Sequence, residues 1–253
     1  MNRLASRDTL KKIRSIGTFW AAEQTLNHLK AIREYELGLE LDMLPPTGKL
    51  LEIGAGTGWQ ANILQDKGYD VSAIDIPESN YAQDCVRQIT RYDGRQIPYE
   101  DDTFDIIFSS NVLEHIPHLR EFQNEIHRVL KPDGCVLHIL PSGSWRFWAS
   151  ITHLLRQWTI PKPHGEHAGN ALAEMCYFSK RWWINLFHET GWIVAVQTKN
   201  SLFYSGYSIM DSRISIPMRK KMSRFLGSSC NIFLLRHAPV TSCKLVETAH
   251  NEN

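Results

Sequence analysis

The chain has 253 residues, 43% hydrophobic and 22% charged, with a formal net charge of +1. That length allows one large domain or two small ones with a sizeable core, and the balanced charge leaves no global electrostatic footprint for nucleic acid. No apolar run reaches the roughly 20 residues that cross a bilayer, and Cys85, Cys135, Cys176, Cys230 and Cys243 contain no CxxC pair, which argues against a disulfide framework or a structural zinc site.

The basic N-terminus breaks every apolar stretch with charge, so no secretory leader is expected and a cytoplasmic location is. From Thr18 to about Met43 helix formers run without proline, which predicts one or two helices before the core. Pro45 to Gly48 then turns the chain. The apolar run "KLLEIG" reads as a short buried strand, Gly54 to Gly58 leads into a helix at "WQANILQDKG", and "YDVSAIDI" reads as a second strand. This strand–helix–strand unit has the length of a right-handed parallel crossover.

A helix is expected around "SNYAQDCVRQIT", a loop over "RYDGRQIPYEDDT" and a strand at "FDIIFSSN". The helix "LREFQNEIHRVL" should stop at the "KPDG" turn, with "CVLHILP" as the next strand. Ser142 to about Cys176 breaks the rhythm with Trp145, Phe147, Trp148 and Trp158 and the loop "PKPHGEHAGN", of a kind that forms lids and binding walls. A helix at "SKRWWINLFHETG", a strand at "WIVAVQTK", a connection containing "IPMRKKMSRFLG" and a last strand at "CNIFLLRH" follow. The expected organisation is a helical segment or lid over 1–44, a core domain over 45–238 with a substrate-cap insert at about 142–176, and a frayed tail over 239–253.

"LLEIGAGTG", "SAIDI", "RQIPYEDDTFDIIFSSNVLEHI" and "RVLKPDGCVLHI", in this order and spacing, resemble the class I S-adenosylmethionine-dependent methyltransferases, and among them the ubiquinone/menaquinone-biosynthesis, type 11-like group. The resemblance covers about Leu50 to Leu140. It implies an α/β, Rossmann-like fold: a seven-stranded, mostly parallel sheet with helices on both faces, N-terminal helices and an insert after the fifth strand. It also implies S-adenosyl-L-methionine as cofactor.

The residues carry a physical reading beside the resemblance. Gly54, Gly56 and Gly58 end the first strand, where bare backbone permits unusual dihedrals and the close approach of a ligand, at the crevice where open α/β sheets bind nucleotides; a tight turn without a ligand is the alternative. Ala55 shares this loop. Asp75 ends the second strand, where a carboxylate can accept both ribose hydroxyls or cap a turn, with Ile76 beside it. Glu52, acidic within an apolar strand, needs a partner, for which the resemblance offers the amino group of the methionine moiety. Asp93 and Gly94 match the loop whose carboxylate, by the resemblance, can accept from the adenine amino group, with a simple turn aspartate as the alternative, and Asn111 leaves the fourth strand at the same edge, where its side chain or carbonyl could touch the methionine end.

Methyl transfer to a neutral hydroxyl requires a held acceptor and a base near neutral pH. His115, His164 and His167 are the candidates, each with a packing or solvated-loop alternative. "HGEH" resembles a small metal-ligand cluster that could hold a divalent ion on a diol acceptor, but no metal is expected, because His164 and His167 sit in a proline- and glycine-bounded loop rather than at ligand spacing on a helix. The acceptor is expected to be a small molecule or glycan. Nucleic acid is not expected, since the fourth strand ends in "SSNVLEH" without an NPPY-like sequence. The basic amphipathic stretch around Arg219, Lys220, Lys221 and Arg224 permits peripheral membrane contact, with a helix bearing one solvated face as the plainer reading. Two other functions remain open. An NAD-dependent oxidoreductase is disfavoured by GxGxG in place of GxGxxG, and a catalytically silent S-adenosylmethionine-binding regulator would keep the same binding residues. The oligomeric state is not encoded in these patterns.

Overall fold

A computed structural model describes residues 30–79, 84–159, 161–166, 169–205 and 214–238. Seven strands alternate with helices along the chain: β1 (Lys49–Ile53), β2 (Asp70–Asp75), β3 (Thr90–Arg91), β4 (Phe104–Ser110), β5 (Leu130–Pro141), β6 (Trp192–Lys199) and β7 (Cys230–His237). They form one sheet in the order β3-β2-β1-β4-β5-β7-β6. The first five pair in parallel, and β7 slots antiparallel between β5 and β6.

The central strands are apolar at consecutive positions because both faces of the sheet are covered. Leu51, Ile107, Val136 and Phe233 point into one core with α3 (Leu119–Val129) and α6 (Lys180–Glu189). Their neighbours Leu50, Ile106, Leu137 and Ile232 point into the other, with α1 (30–41) and α2 (Trp59–Asp66). In α3 the residues Leu119, Phe122, Ile126 and Val129 are buried at helical spacing. The fold is therefore the expected α/β Rossmann-like sandwich, with helix before the sheet and an insertion after β5.

Two local expectations are corrected, and the insert gains detail beyond its expected loop. Asp84–Ile89, the described part of the helix expected at "SNYAQDCVRQIT", contains no helical turn, and residues 80–83 lie outside the described residues. The "KPDG" turn does not separate α3 from a later strand start, because β5 begins at Leu130 and bulges: from Phe104↔Leu130 to Ile106↔Cys135 it advances five residues against two on β4. The insert is helical over much of its length, with α4 (Gly143–Gln157) capped by Ser142 and α5 (Ala171–Tyr177) capped by Asn170.

α7 (Ile216–Leu226) begins on Pro217 at its first turn. Its Arg219 does not belong to a solvated basic face. It is 1% exposed and donates to the carbonyls of Phe203 at 2.9 Å and Ile214 at 3.2 Å. No helix among the described residues is long and apolar enough to cross a membrane.

Candidate active site

The carboxyl ends of β1, β2, β3 and β4 share one edge, and the loops leaving them meet there. Gly54, Gly56 and Gly58 have φ of 70°, 57° and 78°, the left-handed region that glycine enters without strain. Space forbids side chains too: a Cβ on Gly54 would lie 2.3 Å from Val112 Cγ2, and one on Gly58 2.5 Å from Arg87 Cγ. The loop is tied to the second strand as Gly54 N and Ala55 N donate to the Ile74 carbonyl at 2.9 and 3.0 Å.

Asp75 holds the same loop from its side chain. Its Oδ2 accepts from Gly56 N at 2.9 Å and its Oδ1 from Ile76 N at 2.8 Å, while Arg91 Nη1 stands 3.8 Å away. A carboxylate has about four lone-pair sites, so the two amides leave acceptor capacity for a ligand. Glu52 is 2% exposed, and its Oε2 has no partner among the described residues. Burial pushes its carboxyl up to about 8, partly offset by the Arg87 guanidinium and the Ala61 amide.

Ile76 is 39% exposed on the next stretch of the wall, and a Cβ on Gly94 would come within 3.3 Å of its Cγ2. Asp93 Oδ1 accepts from Arg95 N and Gln96 N at 2.8 and 2.9 Å, bonds that lower its pKa. One of its oxygens thus shapes the turn. His118 Nε2 lies 2.9 Å from the Gly94 carbonyl, fixing this loop against α3.

Asn111 sits at φ 56° just beyond β4. With its amide oxygen facing α1, it accepts from Arg33 Nη1 and Nη2, both at 3.0 Å. Arg33 in turn pairs with Glu36 at 2.6 Å, and Glu36 Oε1 accepts from Asn200 Nδ2 at 2.7 Å and Tyr204 Oη at 2.8 Å. Sequence patterns gave no sign that an N-terminal helix closes the β4 edge in this way. An i,i+3 Arg–Glu pair on a helix normally reads as solvated charge.

Glu114 and His115 lie in a 3₁₀ turn, Leu113–His115, that follows Asn111. His164, from the insert, packs edge-on to both His115 and Trp145, with ring centroids 4.8 Å apart in each case. Glu174 anchors the His164 loop: its Oε1 accepts from His164 N at 2.6 Å and Gly165 N at 2.5 Å, and its other oxygen pairs with Arg146. Burial, reinforced by His115 and Arg146, lowers the His164 pKa to about 4, so the imidazole is neutral at pH 7. The structure thus brings His115 and His164 together, whereas His167 lies outside the described residues. Glu114, missed as a site residue although it stands in the quoted "LEHI", is 0% exposed, neither oxygen has a hydrogen bond among the described residues, and burial pushes its carboxyl up to about 8. Of the insert's other aromatics, Trp148 Nε1 donates to the Leu226 carbonyl at 2.9 Å, while Phe147 and Trp158 face outward.

The family profile described as "Methyltransferase domain" matches residues 26–196, more than half of the chain. The chain belongs to this methyltransferase family. It is a class I, Rossmann-fold, S-adenosylmethionine-dependent member, and the antiparallel β7 between β5 and β6 completes the fold implied by the sequence resemblance. Among curated relatives it is similar to an uncharacterized methyltransferase of Mycobacterium leprae, 35% identical over 109 residues that make up 40% of each chain. It is also similar to the 2-methyl-6-phytyl-1,4-hydroquinone methyltransferase of Synechocystis, 29% identical over 141 residues, 48% of this chain and 43% of that one. These matches span about two fifths of the relatives' length. Among solved structures, a Haloferax volcanii methyltransferase in complex with the Trm112 methyltransferase activator superposes with a TM-score of 0.58 at 15% identity, covering 87% of this chain and 95% of that one. At that identity the likeness concerns the fold alone.

Proposed function

We propose that this methyltransferase O-methylates a hydroxyl of a small-molecule or glycan acceptor, with His115 and His164 at the acceptor and the β1–β4 edge holding the cofactor. The observation that carries this reading is the pair of imidazoles His115 and His164, packed edge-on beside the buried Glu114 and next to Asn111 at the end of β4. A neutral hydroxyl must lose a proton as it is methylated, and two imidazoles gathered at one point suit that need. An already anionic or strongly nucleophilic acceptor would not require them.

The residues fit S-adenosylmethionine. The bare backbone of Gly54, Ala55, Gly56 and Gly58 leaves room for the methionine and ribose portions. Glu52 Oε2, buried and unpartnered, suits the ammonium group, and Asp75 suits the ribose hydroxyls. Ile76 would offer an apolar face to the adenine, Asp93 and Gly94 would line its amino edge, and Asn111 would lie at the methionine end. When bound, the cofactor supplies a methyl group on a positively charged sulfur. The protein's part is to orient the acceptor oxygen, receive its proton and exclude water. The insert at about 142–176 is assigned as the substrate cap, with Trp145 as a ring-stacking wall, and the location as cytoplasmic.

The finer likeness to the ubiquinone/menaquinone group is supported by the Synechocystis relative, whose name specifies a phytyl hydroquinone. That makes hydroxylated aromatics part of the acceptor panel. The test is incubation with methyl-labelled S-adenosylmethionine and a panel of sugars, lipid-linked sugars and hydroquinones, identifying the labelled bond. A labelled methyl ether lost in His115→Ala, by about a hundredfold or more, supports the reading. Label only on nitrogen or carbon refutes it, and cofactor binding with no transfer to any acceptor favours the catalytically silent alternative.

A further inference from the structure

Among the described residues, Glu40 and Glu114 are fully buried carboxyl groups with neither oxygen hydrogen-bonded, and Glu114 stands beside two histidines. Arg146 is paired with Glu174 and Arg33 with Glu36, so the nearby cations already have anionic partners. Both oxygens of Glu114 lack a hydrogen bond among the described residues. A buried carboxyl group without a hydrogen bond is costly, neutral or ionised, unless something binds it. His115 Nε2 lies 3.9 Å from its Oε1, and one ligand atom each from Glu114, His115 and His164 fall within 4.8 Å of one another.

The three groups are held from both sides. Glu166 N donates to the Glu114 carbonyl at 3.0 Å, and Gly165 packs so closely that a Cβ there would meet the Glu114 oxygen at 2.5 Å. Arg146 Nη2 donates to the Lys162 carbonyl at 2.6 Å while its partner Glu174 grips the amides of His164 and Gly165. The insert loop is therefore braced by its own Arg146 and Glu174 and fastened onto the β4 turn by the Glu166–Glu114 backbone bond. Its imidazole is carried to the carboxylate by this fastening and not by helical ligand spacing.

We propose that Glu114, His115 and His164 form a binding site for one divalent first-row transition cation, such as zinc, manganese or cobalt. Two imidazoles and a carboxylate match the nitrogen and oxygen preferences of these ions. Ligand bonds of about 2.0–2.2 Å require the three atoms to draw together by roughly 1 Å, within reach of side-chain rotation at the half-exposed His115. Three protein ligands leave an open position. There the ion would grip the acceptor hydroxyl and lower its pKa so that the proton leaves to solvent, with His115 and His164 serving as ligands in place of bases, a role that rests on the O-methylation reading, whereas cation binding itself does not. The proposal departs from the expectation of no metal because the ligands come from two separate loops.

The test is titration of chelator-treated, tag-free protein with Co²⁺, followed by visible absorption, and with Zn²⁺, followed by calorimetry. The expected result is one ion per chain, with affinity falling at least tenfold in both Glu114→Gln and His164→Ala and unchanged in His188→Ala on the outer face of α6. Retained S-adenosylhomocysteine binding identifies the variants that fold; if Glu114→Gln does not, His115→Ala replaces it with the same expected loss. No stoichiometric binding of either ion by the wild type, or equal affinity in the site variants, overturns the proposal. These readouts use no acceptor, so failure to find methyl transfer would count against the proposed activity and not against the cation site.

Discussion

Asp75 Oδ2 accepts a hydrogen bond from Gly56 N at 2.9 Å, across 19 residues of sequence. The bond joins the glycine loop after β1 to the acidic end of β2, so the two motifs form one structural unit. Removing the Asp75 carboxylate therefore frees the loop and deletes a ligand acceptor together. Asp75→Ala is expected to weaken S-adenosylhomocysteine binding by at least tenfold in calorimetry while circular dichroism stays native. Gly56→Arg, which fills the loop, should do the same, and unchanged affinity in both would refute the site assignment.

Gly54 has a φ of 70° and no room for a Cβ beside Val112. Gly54→Ala is expected to cost about 1–3 kcal/mol from clash and backbone strain together. Adding Val112→Ala should recover the clash and leave the strain, so denaturant unfolding of the double variant should fall between the wild type and the single variant.

Glu52 is held protonated by burial, with its pKa near 8 against an ordinary 4.5. A raised folded-state pKa favours the native state below pH 4.5, and that contribution is lost as pH climbs from about 4.5 through 8. Glu52→Gln should flatten this decline in thermal stability. If the cofactor's ammonium ionises Glu52, S-adenosylhomocysteine binding at pH 7 releases about 0.9 proton, read from calorimetry in buffers of different ionisation enthalpy. Glu52→Gln should abolish the release.

His138 is fully buried, bonded through Nδ1 to Ser109 Oγ at 2.7 Å, and burial lowers its pKa to about 3. A depressed pKa gives stability that is complete above the unfolded value of 6.5 and lost as pH falls toward 3. Acid unfolding should therefore steepen below pH 6.5, and His138→Gln should reduce the slope.

Arg146 and Glu174 are 5% and 1% exposed at the side chain. Arg146→Met leaves an unpaired buried carboxylate and is expected to cost about 3–5 kcal/mol. Hydrogen exchange at the Gly165 and Glu166 amides should accelerate as the insert loop detaches. The double variant with Glu174→Gln should restore part of the stability.

The strands were readable wherever local pattern sufficed. "WIVAVQTK" and "CNIFLLRH" coincide with β6 and β7, and the glycine spacing anticipated three left-handed backbones. The missing helix over Asp84–Ile89 shows where propensity yields to tertiary context: Val86 N donates to the Thr57 carbonyl at 2.8 Å, and Arg87 reaches the Val71 carbonyl at 3.0 Å. Likewise, Arg33 meeting Asn111 and Glu114 meeting His164 join residues far apart in sequence, with no periodicity to announce them. Burial alone turns Glu114 from an ordinary acidic residue into a site candidate, and burial is a property of the folded chain.

The most direct measurement is calorimetric titration of the protein with S-adenosylhomocysteine, with NADH in a parallel cell. The cofactor site drawn along β1 to β4 predicts saturable one-to-one binding of S-adenosylhomocysteine and none of NADH. Binding of NADH, or of neither ligand, would contradict it.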